Sequence, residues 1–243
     1  MIPKVYFETI DNLSYSEAWE YQQELQKKLI SAKRDASQQE LKGFSQDHFL
    51  LFCHHQPVYT LGKSGSLDHL LLTEEELKQK EIEFFKINRG GDITYHGPGQ
   101  ITGYPIFDLE EFSTDVHLYV RNLEEVVIRT LATYGIFGER IEGFTGVWIK
   151  DDVTKIHRKI CAIGVHLSRW VTMHGFAFNV NTDLSYFNNI IPCGIADEDK
   201  IVTSLSNELG VNIEIEEVES RLRNAFEEVF NIQLIAKHER ITS

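Results

Sequence analysis

Arg89 to Gln100, RGGDITYHGPGQ, puts four glycines and a proline into twelve residues, so the chain must bend sharply twice within one short stretch. Gly90 and Gly91 let the backbone turn or pass close to another group, and Gly97-Pro98-Gly99 sets a second bend. Tyr95 and His96 are held between these two constrained points. A plain structural hairpin would account for the glycines alone. It would not call for Arg89, Thr94, Tyr95, His96 and Gln100, five side chains able to hydrogen-bond. The stretch is therefore expected to be a binding loop.

A chain of 243 residues suffices for one domain with a sizeable core, and residues 1–243 are read as a single domain. With 42% apolar and 25% charged residues, the composition is that of a soluble globular protein. No apolar run approaches the about 20 residues needed to span a bilayer, and the N-terminus lacks a signal-peptide pattern. No membrane association and a cytoplasmic location are expected. A net charge of −13 disfavours nucleic acid, although Lys155, His157, Arg158 and Lys159 form one local basic cluster, either a docking patch for an acidic partner or a solvated hairpin face. The three cysteines, Cys53, Cys161 and Cys193, are too dispersed for a CxxC motif. The histidines lack HExxH or HxxxH spacing, and there is no phosphate loop or well-placed GxGxxG, so neither a metal nor a nucleotide cofactor is expected.

Val5 to Ile10 reads as a first strand. Ser14-x-x-Glu17 is a capping box opening a helix with Ala18, Gln22, Leu25 and Leu29 on one side, ending near Lys33. Residues 34 to 47 read as a polar loop or helix extension, His48 to Cys53 as a buried strand, and Gln56 to Gly62 as turn-rich. A short helix opens at Thr73, and a strand at 82–87 delivers the chain into the glycine loop. Asp115 to Tyr134 is the strongest amphipathic helix, stopped by Gly135. Strands follow at 146–150, 159–167 and 171–180, the first two joined by a hairpin at Asp151-Asp152-Val153. An irregular segment from Asn181 to Asp199, a helix at 216–230 and a strand at 232–237 complete the reading. Without a regular βαβ repeat, the fold class is α+β, a mixed β-sheet with flanking helices.

Two residues carry candidate chemistry. Cys193 sits between Pro192 and Gly194, a bend where backbone N–H groups can converge on a thiolate nucleophile; a buried structural thiol is the alternative. Lys159 heads an apolar strand, where its charge can lower a thiol pKa or relay a proton, the alternative being an edge lysine reaching for water. Period-two alternation places Cys161 on the same strand face as Lys159, so it competes as nucleophile. It ranks lower because mid-strand N–H groups are committed to the sheet and leave no donors for an oxyanion. Cys53 is expected in the core, and His174 on a pocket wall.

Three segments together resemble the octanoyl-[acyl-carrier-protein]:protein N-octanoyltransferase family, also called lipoate-protein ligase B. They are Arg89 to Gln100, Lys159 to His166 with Ser168 to Ala177, and Asp183 to Phe187 leading into Ile191-Pro-Cys-Gly-Ile195. Pro57 to Gly62 and Val202 to Leu205 fit as well. The resemblance implies the biotin/lipoate protein ligase catalytic-domain fold and an acyltransferase that needs no cofactor. The donor would be octanoyl-acyl-carrier protein, and the acceptors lysines on lipoyl domains of 2-oxoacid dehydrogenases and on the glycine cleavage H protein. It implies that Cys193 carries the acyl thioester and Lys159 lowers its pKa. Arg89, Gly90, Gly91, Asp92, Ile93, Thr94, Tyr95, His96, Ala162, Ile163, Gly164, Gly175, Phe176 and Ala177 would line the acyl site. Cys161 stands where the family usually has a small residue, and residues 34–47 look like an insertion. An ATP-dependent lipoate or biotin ligase of the same fold, or a noncatalytic carrier-binding module, are the competing readings.

Overall fold

All six residues of the second strand, His48–Cys53, are buried, which requires packing on both faces. The computed structural model describes residues 2–11, 13–40, 45–151, 153–191 and 199–237. Its elements are β1 (Lys4–Ile10), α1 (Tyr15–Gln38), β2 (His48–Cys53), β3 (Val58–Leu61), α2 (Glu74–Gln79), β4 (Glu83–Lys86), β5 (Ile93–His96) and β6 (Gln100–Ile106). There follow α3 (Val116–Ala132), β7 (Glu139–Ile141), β8 (Phe144–Lys150), β9 (His157–Ser168), β10 (Val171–Asn179), β11 (Lys200–Val202), α4 (Leu205–Leu209), α5 (Ile215–Phe230) and β12 (Gln233–Ala236).

Among the described residues the main sheet runs β12-β1-β2-β6-β10-β9-β8-β7, with β11 also paired to β9. It is mixed: β1 is parallel to both β2 and β12, whereas β2, β6, β10, β9 and β8 alternate antiparallel. A second sheet, β4-β3-β5, has three strands. Leu50 and Phe52 of β2 join the core with Leu123 and Val127 of α3 and Leu222 and Phe226 of α5. Phe49, Leu51 and Cys53 face the other way, onto Ala18, Leu25 and Leu29 of α1. This is the α+β architecture expected, with helices on both faces of a mixed sheet.

The Ser14–Glu17 capping box is formed, Glu17 Oε2 accepting the Ser14 N–H at 2.8 Å. The helix does not end near Lys33 but continues to Gln38. Ala36 prolongs its buried stripe, and Lys33 Nζ is tied to Asp108 Oδ1 at 3.1 Å and to the Arg169 carbonyl at 3.0 Å. Residues 41–44 lie outside the described residues.

Three strands were hidden by turn-forming residues. The turn-rich stretch after Gln56 contains β3, and the glycine loop itself contains β5, paired antiparallel to β3. Strand β6 carries Gly103 and Pro105, residues that argue against a central strand. Phe176 packs where a Gly103 side chain would stand, 2.1 Å from a Cβ placed there. At Pro105 the Thr172 hydroxyl repairs the ladder, donating to the Pro105 carbonyl (2.7 Å) and accepting from the Phe107 N–H (2.9 Å).

Gly175 is pressed against the same region of β6: a Cβ there would stand 2.1 Å from the Gly103 carbonyl oxygen and 2.8 Å from Pro105 Cδ. Backbone cannot yield as a flexible side chain does. Gly175→Ala is expected to cost about 1–3 kcal/mol, seen as a lower urea midpoint with an unchanged m value.

Candidate active site

The floor of the site is made by small side chains on one face of β9 and β10. Gly164 pairs with Gly175 and Ala162 with Ala177, whereas the next pair along, Cys161 and Phe178, faces the α3/α5 core. On strict alternation Lys159 would share the face of Cys161, as the sequence led one to expect. It does not, because the pairing with β8 shifts by one residue: Cys161 stands opposite Val147, but Lys159 stands opposite Trp148. Val147 belongs to the α3/α5 core with Cys161, and the register slip releases Lys159 from that face. Its Nζ lies 4.7 Å from the Trp148 ring centroid. Lys159, Ala162, Gly164, Gly175 and Ala177 border a cavity of about 330 Å³.

The glycine loop covers this floor. Gly90 N–H donates to the Val165 carbonyl at 2.9 Å, and a Cβ on Gly164 would stand 2.7 Å from the Gly90 oxygen, so glycine at 164 is a condition of the contact. Arg89, Gly90, Gly91, Asp92, Ile93, Thr94 and His96 line the cavity together with Ala162, Ile163, Gly164, Gly175, Phe176 and Ala177. Tyr95, expected with them, is not part of the lining. It alternates to the other side of β5 and stacks on Tyr186, with centroids 4.6 Å apart, in the core of the small sheet. Tyr15, Gln100, Tyr104, His174 and Asn179 also border the cavity. Tyr15 and Tyr104 gave no signal as site residues, one looking like the first turn of a helix and the other lying in an unrecognised strand.

The cavity wall is polar yet buried. Arg89 donates from Nη2 to the Thr60 carbonyl (2.6 Å) and hydroxyl (3.0 Å), and from Nη1 to the Gly90 carbonyl (3.0 Å). Gln100 donates to the Tyr95 carbonyl (3.1 Å) and to Asn179 Oδ1 (2.9 Å), so its Oε1 is left to accept from His96 Nδ1 at 2.9 Å. That network assigns the Nδ1–H tautomer to His96. His55 lies 2.7 Å from the Tyr104 hydroxyl, and His174 lies 3.0 Å from Asn88 Oδ1. His174 takes a left-handed backbone, φ +59°, and its N–H donates to Gln22 of α1. Burial holds these imidazoles neutral: it pushes His55 down to about 4, with His54 adding to the effect, and His174 down to about 3, with Arg89 adding to it. His96 is driven well below the usual histidine value, chiefly by burial and secondly by His55. Among the described residues no group of three or more His, Cys, Asp or Glu side chains is arranged to hold a metal.

Cys193 lies outside the described residues. The chain leading to it is anchored: Ile191 N–H donates to the His69 carbonyl at 2.8 Å and Leu71 N–H to the Asn189 carbonyl at 2.9 Å. The His69 ring is in turn held 2.5 Å from Asp92 of the glycine loop. Cys53 and Cys161 are fully buried, and burial raises both thiols far above the ordinary value. Burial of Cys161 argues against its competing as a reactive thiol. The basic cluster is also changed by its surroundings. Arg158 makes a two-pronged pair with Glu208 at 2.8 and 2.9 Å and reaches Asp151, while His157 lies 3.3 Å from Glu139. Its positive field is largely compensated, which weakens its case as a docking patch.

The family pattern described as lipoyl protein ligase A/B catalytic domain matches residues 14–227. The chain belongs to this family. A protein of Flavobacterium johnsoniae named octanoyltransferase is 52% identical over 236 residues, covering 97% of this chain and 100% of that one. The octanoyltransferase of Christiangramia forsetii is 55% identical over 221 residues, covering 90% of this chain and 93% of that one. Among solved structures, a bi-partite lipoate protein ligase from Thermoplasma acidophilum superposes with a TM-score of 0.66 at 17% identity, covering 99% of this chain and 88% of that one. A lipoate-protein ligase A bound with ATP gives 0.64 at 16%, covering 99% and 90%. The lipoate ligase fold expected from the sequence is therefore the fold of this family member.

Two outcomes follow from burial in the site. Iodoacetamide should leave Cys53 and Cys161 unmodified in the native protein and alkylate both in urea, as read by peptide mass spectrometry. The depressed histidines bind protons more readily unfolded than folded. Their stabilisation is fully present above about pH 6.5 and is lost as pH falls through 4 to 3, by about 3 kcal/mol for His55 alone. His54, raised mainly by its bond to Glu219, has the opposite sign. Urea midpoints should therefore fall from pH 7 to pH 5.

Proposed function

We propose that the chain is an octanoyltransferase of protein lipoylation, read as a single catalytic domain acting in the cytoplasm. The observation that carries this reading is identity of about half the residues with octanoyltransferases over nearly the full length of both chains. Among the described residues no helix is long and apolar enough to cross a membrane. The donor is octanoyl-acyl-carrier protein, and the acceptors are lysines on lipoyl domains of 2-oxoacid dehydrogenases and on the glycine cleavage H protein.

The chemistry has two steps. The Cys193 thiolate attacks the thioester carbonyl of the donor, a new C–S bond forms, the donor's C–S bond breaks, and the carrier leaves as its thiolate. The lysine amine of the acceptor then attacks the acyl-enzyme, a C–N bond forms, the C–S bond to Cys193 breaks, and the thiol is restored. Thioester exchange is nearly even in energy and the amide is more stable, so no nucleotide is needed. Lys159 favours the thiolate as a cation and relays the amine's proton. Its position at the cavity, reached through the register slip in β9, is compatible with that work. The acyl chain lies over Ala162, Gly164, Gly175 and Ala177 beneath Arg89 to Thr94 and His96.

Intact mass measurement after mixing with octanoyl-acyl-carrier protein, without ATP, tests the proposal. An octanoyl adduct is expected, lost in Cys193→Ala and kept when Cys53 and Cys161 are replaced by alanine. Activity that requires ATP and leaves Cys193→Ala competent would mean a ligase instead. Lys159→Ala should move Cys193 alkylation to higher pH; an unchanged profile would remove Lys159 from thiol activation.

A further inference from the structure

The floor residues give the cavity a direction. From Lys159 to Gly164 is five positions on β9, or roughly 15 Å at about 3.3 Å per residue once the bulged residue is allowed for. Tyr104 marks the far end, because Gly103 pairs with Phe176 and the next residue of β6 stands level with Gly175 and hence with Gly164. Beyond Tyr104 the space is filled by Leu51, Ile106 and Met173 packed under α1. Tyr15, the first residue of α1, closes the same end from the helix side. Its ring lies 5.1 Å from that of His55, which is bonded to the Tyr104 hydroxyl, and is stacked on His96 at 6.0 Å. Val58, Ile87 and Phe85 pack behind it.

We infer that Tyr104 and Tyr15 form the closed end of the acyl cavity and set the longest acyl chain that the protein transfers. The inference rests on the reading that the acyl carbonyl sits at the Lys159 end. A cavity of about 330 Å³ is at the lower limit of ligand pockets, about 300–1,000 Å³, so there is little slack to admit further methylenes. The small residues of the floor fix its depth, and the two rings fix its length. Both rings are themselves held, Tyr104 by His55 and Tyr15 by its place in the first turn after the capping box, so neither swings aside without disturbing the buried polar wall.

The test compares octanoyl-, decanoyl- and dodecanoyl-pantetheine as donors to a lipoyl domain, reading kcat/KM for each long chain divided by that for octanoyl. The ratio is taken on one protein sample, so a partly unfolded variant does not distort it. Tyr104→Ala and, independently, Tyr15→Leu should each raise the dodecanoyl ratio by about tenfold or more, since each methylene accommodated in a hydrophobic site is worth roughly tenfold or more in discrimination. Tyr104→Phe, which removes the hydroxyl but keeps the ring, should leave the ratio as in the unaltered protein. Unchanged ratios in both enlarging variants, with octanoyl transfer intact in the unaltered protein, overturn the length assignment alone. A Tyr104→Phe ratio that rises as far as that of Tyr104→Ala overturns a limit set by ring size. No octanoyl transfer by the unaltered protein overturns the proposed activity and this inference with it.

Discussion

The contact of the glycine loop with β9 is the constraint around which the site is built. One backbone hydrogen bond, Gly90 to Val165, and the close approach of Gly90 to Gly164 lay the loop on the main sheet. Arg89, one residue earlier, fastens the same loop to Thr60 of the small sheet through two bonds from one nitrogen. The loop thus ties the two sheets together, alongside the bonds of Gln100 in β6 to Tyr95 and His96 in β5. A cavity is left between them because the opposed residues are glycine and alanine. Larger side chains at 162, 164, 175 or 177 would fill it, and the loop would have nothing to enclose.

A guanidinium and two imidazoles, Arg89, His96 and His174, share the wall of that cavity, with a third, His55, bonded behind it to Tyr104. Burial alone would make a cluster of cations prohibitive, and the structure resolves this by keeping the histidines neutral. Arg89 retains the charge with Nη1 and Nη2 donating to carbonyl and hydroxyl oxygens at fixed positions, while its buried Nε has no partner among the described residues. The neutral histidines can then serve as hydrogen-bond partners of defined tautomer, as His96 does between Thr60 and Gln100. The histidines thereby give the wall oriented donors and acceptors without adding charge to that of Arg89.

How much of this was readable in advance depended on whether local rules and packing agreed. The capping boxes at Ser14 and Thr73, the α3 stripe and the long strands β9 and β10 follow local pattern, and they form. Strands β3, β5 and β6 are obscure in the sequence because glycine and proline signal turns, whereas Thr172 and Phe176 supply from outside what β6 lacks. The motif residues around Arg89 and Gly164 were legible because their glycines serve close approach. Tyr95 was misplaced for want of the strand alternation within β5. Lys159 and Cys161 were put on one face because a one-residue slip in pairing leaves no mark in sequence. Tyr15 and Tyr104 enter the site only through tertiary placement.

The parallel pairing of β1 with both β2 and β12 has a consequence for how the molecule is made. Lys4 is aligned with Gln233, so the outer partner of the first strand is synthesised more than two hundred residues after it. On the ribosome β1 can pair with β2 early, but its other edge stays bare until β12 has emerged. An unpaired strand edge invites intermolecular pairing. Termination just upstream of β12 would therefore leave the main sheet with an adhesive flank.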